Sequence, residues 1–425
     1  MAEPREALVV LAIDGATTLE CGIGVAVSCF LRAYDQVRRL APGPAGARPA
    51  LYAIGPGVAA ASPDHRADLA AEVAAVCAAE GGRLLTYPVP DGSSLRAAWG
   101  LADPAAWRDA CAEAARLVRG IADAHSRTTV VAHGVMLTNL RSFLADRADV
   151  RVSFVAHSLG MAGRDPLARQ RVDWETAGFA AMRAAPDDSV AYVSRFTQGL
   201  LRDSYGVPDD RLVPFLNGVW ADDPKFARRG PAPEVLDRYG VPPDRDLVFS
   251  WGRCVPSKGF DLILDGWAAL LDRDPGRDEH LVLLMPSAVA PADHAAALRD
   301  RCAALGPKAV TPVFAFSDEL PAAVLTAPRL RAVVFASEFE SYMLTAAEAI
   351  TLAAPHVQHV YYGIPPVREQ YAGMANAHEF GERAPGAVAD ALAAALGSGA
   401  RDTKAAPDFI HEAARYLTAL HPDTT

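Results

Sequence analysis

Lysine is scarce in this chain: of 41 basic residues only Lys225, Lys258, Lys308 and Lys404 are lysine, and the rest are arginine. Acidic residues number 51, giving a net charge of −10, so the basic face that a general nucleic-acid binder needs is missing. That balance leaves room for a small phosphorylated ligand held by a local Arg/Lys pair. The six cysteines (Cys21, Cys29, Cys77, Cys111, Cys254 and Cys302) are scattered and form no C-x-x-C pair. This argues against a zinc ribbon or redox motif and fits reduced thiols. No stretch approaches the ~20 apolar residues of a membrane helix. The N-terminal MAEPREALVVLAIDG has too short an apolar run and too acidic a flank for a signal peptide. The expectation is a cytoplasmic protein without stable membrane insertion.

What is present is apolar and periodic. The 425 residues suggest two or three domains, and 51% hydrophobic content is ample for packed cores. Short Val/Leu/Ile-rich runs recur at 7–13, 50–54, 83–89, 128–133, 150–158, 189–194 and 211–219, with amphipathic helical patterns between them. A Pro-, Gly- and charge-rich stretch, 221–246, resembles a linker. The alternation restarts at 247–252, 280–286, 309–316, 331–337 and 354–362, and 407–420 reads as a final helix with an apolar stripe. This pattern predicts two α/β domains built on parallel sheets. The expected division is an N-terminal Rossmann-like domain at 1–222, a linker at 223–246, a second Rossmann-like domain at 247–405, and a C-terminal helix at 406–425. Two such halves are expected to face a central cleft where ligands bind.

Two segments carry candidate chemistry. In WGRCVPSKGFD, Arg253 and Lys258 follow a strand that ends in Gly252 and precede a helix. A guanidinium fork, an ammonium and a helix N-terminus together suit an anion. The competing reading is a turn with two solvated cations. In RAVVFASEFESYMLTAAEAI, Glu340 lies in a loop after a strand and Glu348 eight residues on in a helix. Carboxylates there can accept hydrogen bonds from sugar and ribose hydroxyls. The two triplets D-R-D, 244–246 and 272–274, lie outside these motifs and are given no metal role.

Together, in this order, GRCVPSKG and FASEFESYMLTAAE resemble the retaining nucleotide-sugar glycosyltransferases of the GT-B fold, specifically family four. CGIG (21–24), VAHS (155–158), Asn217-Gly218-Val219 and Gly363-Ile364-Pro365 are similar to further family segments, so the resemblance covers nearly the whole chain. It implies that Arg253 and Lys258 bind the donor diphosphate and stabilise it as leaving group. Glu340 would bind the donor sugar, Glu348 the ribose, and His157 would touch the sugar near its anomeric carbon. Gly22 and Gly24 would let backbone approach the diphosphate. Gly252, Ser341, Tyr342, Met343, Leu344 and Thr345 would line the donor side, and His133 and Asn217 the acceptor side. For His133 and His157 a structural histidine, and for Asn217 a turn residue, remain alternatives. The resemblance also implies that the C-terminal helix, 406–425, packs back on the first domain.

The implied partners are a nucleoside-diphosphate sugar, UDP- or GDP-linked, and a small soluble acceptor such as a natural-product intermediate. No cofactor beyond that co-substrate and no metal are implied. A nucleotide-sugar epimerase or sugar-phosphate synthase of the same fold, and a degenerate non-catalytic partner, stay open as alternatives, as does the oligomeric state, a homodimer included. Departures from the family pattern fall at Ser341-Tyr342-Met343, Met285-Pro286-Ser287-Ala288, Tyr362 and Pro366, and at the aromatic segment 356–362. Met343 there suggests a reshaped donor-sugar pocket.

Overall fold

The apolar runs form strands because they are short and rich in Val, Leu and Ile, and the central ones are buried on both faces, as the fully buried ALVVLA of Ala7–Ala12 illustrates. The computed structural model describes residues 6–19, 21–41, 48–62, 64–89, 104–162, 168–224, 226, 233–287 and 291–420. They form two units. The first comprises the described residues to Asn217 together with those from Pro407, and the second those within Gly218–Ala406.

The first unit holds a parallel sheet of seven strands among the described residues. These are β1 (Ala7–Ala12), β2 (Ala50–Gly57), β3 (Leu84–Pro88), β4 (Thr128–His133), β5 (Val150–Ala156), β6 (Ser189–Tyr192) and β7 (Leu212–Pro214). The order is β3-β2-β1-β4-β5-β6-β7. The run expected to extend from 211 to 219 shortens to three residues, ending at Pro214, which has no N–H to donate to a ladder. After β4 the chain enters a 3₁₀ segment, Val135–Leu144, that the apolar pattern alone did not mark.

The helix Phe409–Ala419 belongs to this first unit. Asp408 caps it by accepting the His411 N–H at 3.0 Å. The Tyr416 ring stacks on Phe215 with centroids 4.6 Å apart, and its hydroxyl donates to Ser153 Oγ on β5 at 2.7 Å.

The second unit holds a six-stranded parallel sheet of β8 (Asp246–Trp251), β9 (Glu279–Leu284), β10 (Val310–Val313), β11 (Leu330–Phe335), β12 (Gln358–Tyr362) and β13 (Ala377–Phe380), in the order β10-β9-β8-β11-β12-β13. Successive strand residues alternate between two apolar layers. Val248, Leu281, Leu283 and Val334 pack with Ile263, Trp267 and Leu392. Phe249, Val282, Leu284 and Val333 pack on the other side with Leu320, Ile350 and Val367. β13 was not foreseen, because AHEF is a four-residue edge strand with little apolar signal. The stretch expected as a linker is drawn into this unit where it is described. Val235 and Val241 are buried in its core, and Phe226 packs with Val219, Ala322 and Ala347, while Lys225 and 227–232 lie outside the described residues. No described helix is long and apolar enough to cross a membrane.

In each sheet the first strand has a consecutive neighbour on one side and a later strand on the other: β1 lies between β2 and β4, and β8 between β9 and β11. Loops leaving adjacent strands in opposite directions open a gap at their C-terminal ends, and open α/β sheets bind ligands there.

Truncating the ring that docks the last helix tests this packing. Tyr416→Ala is expected to destabilise the first unit by about 3–5 kcal/mol and to leave the second unit's transition in place. Urea unfolding read separately from each unit checks it, and an unshifted first transition contradicts it.

Candidate functional site

At the β8/β11 junction of the second unit, two loops are held against each other. The turn after β8 runs from Gly252 through a short 3₁₀ turn, Pro256–Lys258, into the helix Phe260–Arg273. Gly259 takes a left-handed conformation with φ +67°, and a Cβ there would lie 2.5 Å from the Ala336 carbonyl oxygen at the end of β11. Only glycine allows both the dihedral and the approach. The Glu338 N–H donates to the Ser257 carbonyl at 2.7 Å, tying the second loop to the first.

That contact brings Lys258 to Glu340. The ammonium Nζ lies 2.5 Å from Glu340 Oε1, and both side chains are largely buried, at 18% and 13% exposure. Arg253 is exposed, and its side chain makes no ion pair or hydrogen bond with a described residue. Beyond Glu340, Ser341 and Met343 are buried, and Tyr342 is half-buried against Val219 and Phe226. The helix Leu344–Leu352 then starts without a side-chain cap. Its first N–H groups, at Leu344, Thr345 and Ala346, have no intrahelical acceptor and carry the positive end of the helix dipole. Glu348 lies in the second turn, half-buried. One uncommitted guanidinium, one ammonium shared with a carboxylate and one helix N-terminus without a side-chain cap thus lie on the loops that follow the adjacent strands β8 and β11.

Met343 does not line this site. Its side chain is 2% exposed and packs in the core with Trp251, Phe335 and Tyr371. The expected effect on a sugar pocket is corrected accordingly: the backbone path through the loop, not the residue type, sets where this side chain goes. Gln370, unforeseen from sequence, fixes that path. Its amide accepts from Met343 N–H at 3.2 Å and donates to Met343 C=O at 3.0 Å. Arg383, also unforeseen, donates to the Ala336 carbonyl at 2.6 Å and lies over the Tyr362 ring at 5.5 Å.

The aromatic segment before Gly363 is mostly interior. Gln358, His359 and Tyr361 are buried, and Tyr361 stacks on Tyr371 at 4.5 Å. At the end of β9, Met285 is buried, Pro286 C=O accepts from Cys254 N–H, and Arg299 donates to Ser287 Oγ at 3.3 Å. Ala288 lies outside the described residues.

In the first unit the residues expected at the N-terminal loop and at two strand ends fall at the C-terminal edge of the sheet. Gly22 opens the helix Gly22–Arg32 and is exposed. Gly24 has a different neighbour from the one expected. A Cβ on it would lie 2.2 Å from Asp14 Oδ2, so its missing side chain admits a buried carboxylate of the same unit. Asp14 accepts from Gly15 N–H (3.0 Å), Thr18 Oγ1 (2.7 Å) and Cys21 N–H (2.9 Å), and so ties the loop to the helix start. The A-I-D-G ending of the first apolar run was the available signal for it.

His133 ends β4 and His157 follows β5, and strand pairing sets them side by side. His133 Nδ1 and His157 Nε2 are 2.8 Å apart, with rings stacked at 5.1 Å and 28°. His133 is only 1% exposed, whereas His157 is half-buried. His133 therefore reaches a ligand only through His157, which revises its expected place on the acceptor side.

Burial pulls the His133 pKa well below its ordinary value, with His157 adding to the effect, and burial takes His157 down to about 3. Two neutral rings sharing one N–H···N bond leave His157 Nδ1 to meet a polar group. Its loop is held by buried Glu175, which accepts Gly160 N–H at 2.8 Å and Arg171 Nε at 2.7 Å. Arg171 in turn donates to Ser158 Oγ at 2.8 Å. Asn217 is 5% exposed, and its Oδ1 accepts from no described residue.

A scan against protein-family models gives no match, and neither does a search of the curated proteins. Solved structures do match over nearly the full chain. A sucrose-phosphate synthase from Thermosynechococcus elongatus aligns with TM-score 0.65 and 14% identity, covering 97% of this chain and 93% of that one. A UDP-forming α,α-trehalose-phosphate synthase from Burkholderia vietnamiensis aligns with TM-score 0.63 and 15% identity, covering 98% and 96%. Anabaena HepE, solved with UDP and glucose, aligns with TM-score 0.61 and 11% identity, covering 98% and 94%. At these identities the likeness establishes the fold: the chain has the two-domain α/β architecture of the GT-B glycosyltransferases, as expected from its motifs.

The histidine pair has a measurable consequence. In the unfolded chain each imidazole titrates near 6.5, about the ordinary value, whereas the folded pair stays neutral well below that. The unfolded state then binds more protons, so stability falls as pH drops below about 6.5, by about 1.4 kcal/mol per pH unit for each such histidine. His280, His359 and His378, also held neutral by burial, add to the slope. Nitrogen-15 NMR is expected to show His133 and His157 untitrated between pH 7 and about 5. Ordinary titration of either near 6.5 contradicts the pairing.

Proposed function

We propose that this chain is a retaining glycosyltransferase. It takes a sugar from a UDP- or GDP-linked donor and gives it to a small soluble acceptor in the cytoplasm, without a metal. The observation that carries the reading is the convergence of Arg253, the Lys258–Glu340 pair and the uncapped helix Leu344–Leu352 at the β8/β11 junction. Arg253 offers a fork to a phosphate, and Lys258 has three N–H donors, enough to hold Glu340 and a phosphate oxygen together. Both meet negative charge that grows on the diphosphate as the glycosidic bond breaks. They supply the neutralisation a divalent ion would otherwise give.

Glu340, anchored by Lys258, presents its second oxygen to donor-sugar hydroxyls. Glu348 takes the ribose, and Gly252, Ser341, Tyr342, Leu344 and Thr345 shape the donor surface. Among the described residues none is assigned as a nucleophile, and transfer is proposed to occur on one face. The acceptor oxygen bonds the anomeric carbon as the carbon–phosphate-oxygen bond breaks, and the acceptor proton passes to that phosphate oxygen. His157 Nδ1 contacts the sugar near this carbon, and Asn217 Oδ1 is a candidate acceptor contact.

Between the bases, UDP is favoured by neighbours described as UDP-forming or solved with UDP. The acceptor is proposed to be an intermediate of natural-product type. A second reading, a sugar-phosphate acceptor, is favoured by neighbours named as sucrose- and trehalose-phosphate synthases.

Thermal-shift measurements with UDP, GDP, ADP, TDP and CDP test the donor site. One diphosphate is expected to stabilise the wild type, by about 2.7 kcal/mol at a hundredfold excess over Kd, with EDTA present or absent. Arg253→Ala and Lys258→Ala are expected to lose that shift while still folding. No shift with any diphosphate, or one that requires a divalent ion, contradicts the reading. Turnover of the stabilising nucleotide's sugar with phosphorylated or unphosphorylated acceptors separates the two acceptor classes.

A further inference from the structure

A cavity of about 430 Å³ opens in the first unit, lined from the helices Pro104–Ala122 and Ala168–Ala184 and from the 3₁₀ segment Val135–Leu144. None of the residues given to sugar transfer lines it. Its volume falls within the range of small-molecule sites, about 300–1,000 Å³. Gln170, Asp173, Trp174 and Ala177 line one wall. Their spacing of i, i+3, i+4 and i+7 places them on one helix face.

Trp174 is a fixed platform in that wall. Its Nε1–H donates to the Val135 carbonyl at 3.1 Å, and its ring meets Trp107 edge-on at 5.7 Å. Asn139, 6% exposed, donates its Nδ2 to the Trp174 carbonyl at 2.5 Å. A carbonyl partner can only face the NH₂ end of an amide, so the orientation is settled and Oδ1 is left over. That oxygen accepts from no described residue, and the side chain lines the cavity. Around the rim, the side chains of Arg108, Ser142, Gln170 and Asp173 make no hydrogen bond or ion pair with a described residue.

We infer that this cavity is a second carbohydrate-binding site, taking one or two neutral sugar rings on Trp174. Sugars present an apolar C–H face to an aromatic ring and pairs of hydroxyls at their edges. Trp174 supplies the ring, while Asn139 Oδ1, Gln170, Asp173 and Arg108 supply planar donors and acceptors for the hydroxyls. Arg108 and Asp173 cancel in charge, which favours a neutral saccharide over a phosphorylated ligand. The site would hold such a saccharide apart from the residues proposed to react.

Saturation-transfer NMR on the full chain with maltose, cellobiose and lactose tests it, with adenosine as a flat aromatic control. At least one disaccharide is expected to contact the wild type. The exposed double change Gln170→Ala/Asp173→Ala is expected to weaken it about tenfold, as loss of two hydrogen bonds predicts. Trp174→Phe is expected to weaken it further, and Arg253→Ala/Lys258→Ala to leave it unchanged. Melting temperatures of the variants confirm folding. Contact with no disaccharide, retention in both cavity variants, loss in the Arg253/Lys258 variant, or binding of adenosine alone each overturns the site. None of these results depends on which nucleotide the donor site takes.

Discussion

The passage of Gly259 against the Ala336 carbonyl is the constraint on which the second unit's site depends. A side chain at that position would push the β8 and β11 loops apart. It would break the Glu338–Ser257 bond and carry Lys258 away from Glu340. The ion pair is therefore a product of a backbone approach. The same carbonyl also accepts from Arg383, so one peptide group meets both the Gly259 backbone and a guanidinium. In the largely buried pair an ammonium faces a carboxylate, while Arg253 stays outside without an ion-pair partner among the described residues.

The first unit solves the opposite problem. Its strand-end histidines lie in a buried setting and are kept neutral, sharing one hydrogen bond. A neutral imidazole can both donate and accept a hydrogen bond. Asp14 and Glu175 do comparable work in the adjoining loops, each satisfying several backbone and side-chain donors from a buried carboxylate. The exposed Arg253 and the Lys258–Glu340 pair thus lie in the second unit, and Asp14 and Glu175 at the first unit's edge are committed internally.

Much of this was legible in the residues. The β8 and β11 strands, the glycine turn, Arg253, Lys258 and Glu340 could be placed because strand, turn and helix signals are local and the cations are rare. Met343, expected to shape a sugar pocket, faces a core; His133 lies against a second histidine, in keeping with its structural alternative, and Gly24 makes room for a carboxylate. None of these neighbours is readable from residue type, for one reason. Residue type indicates what a side chain can do, but the direction it points follows from loop dihedrals and from strands that are neighbours in space and distant in sequence. Gln370, Arg383 and Glu175 were missed for the same reason, since each acts on backbone far along the chain.

The sequence by itself determined the α/β alternation, the positions of the strands other than β13 and the chemical types at the β8 and β11 ends, because these rest on local apolar period and turn residues. Tertiary structure alone decided that Lys258 meets Glu340 across 82 positions, that His133 lies behind His157, and that Trp174 and Asn139 frame a cavity. Those contacts depend on sheet order and helix packing, which bring distant segments within hydrogen-bond range and which no local pattern encodes.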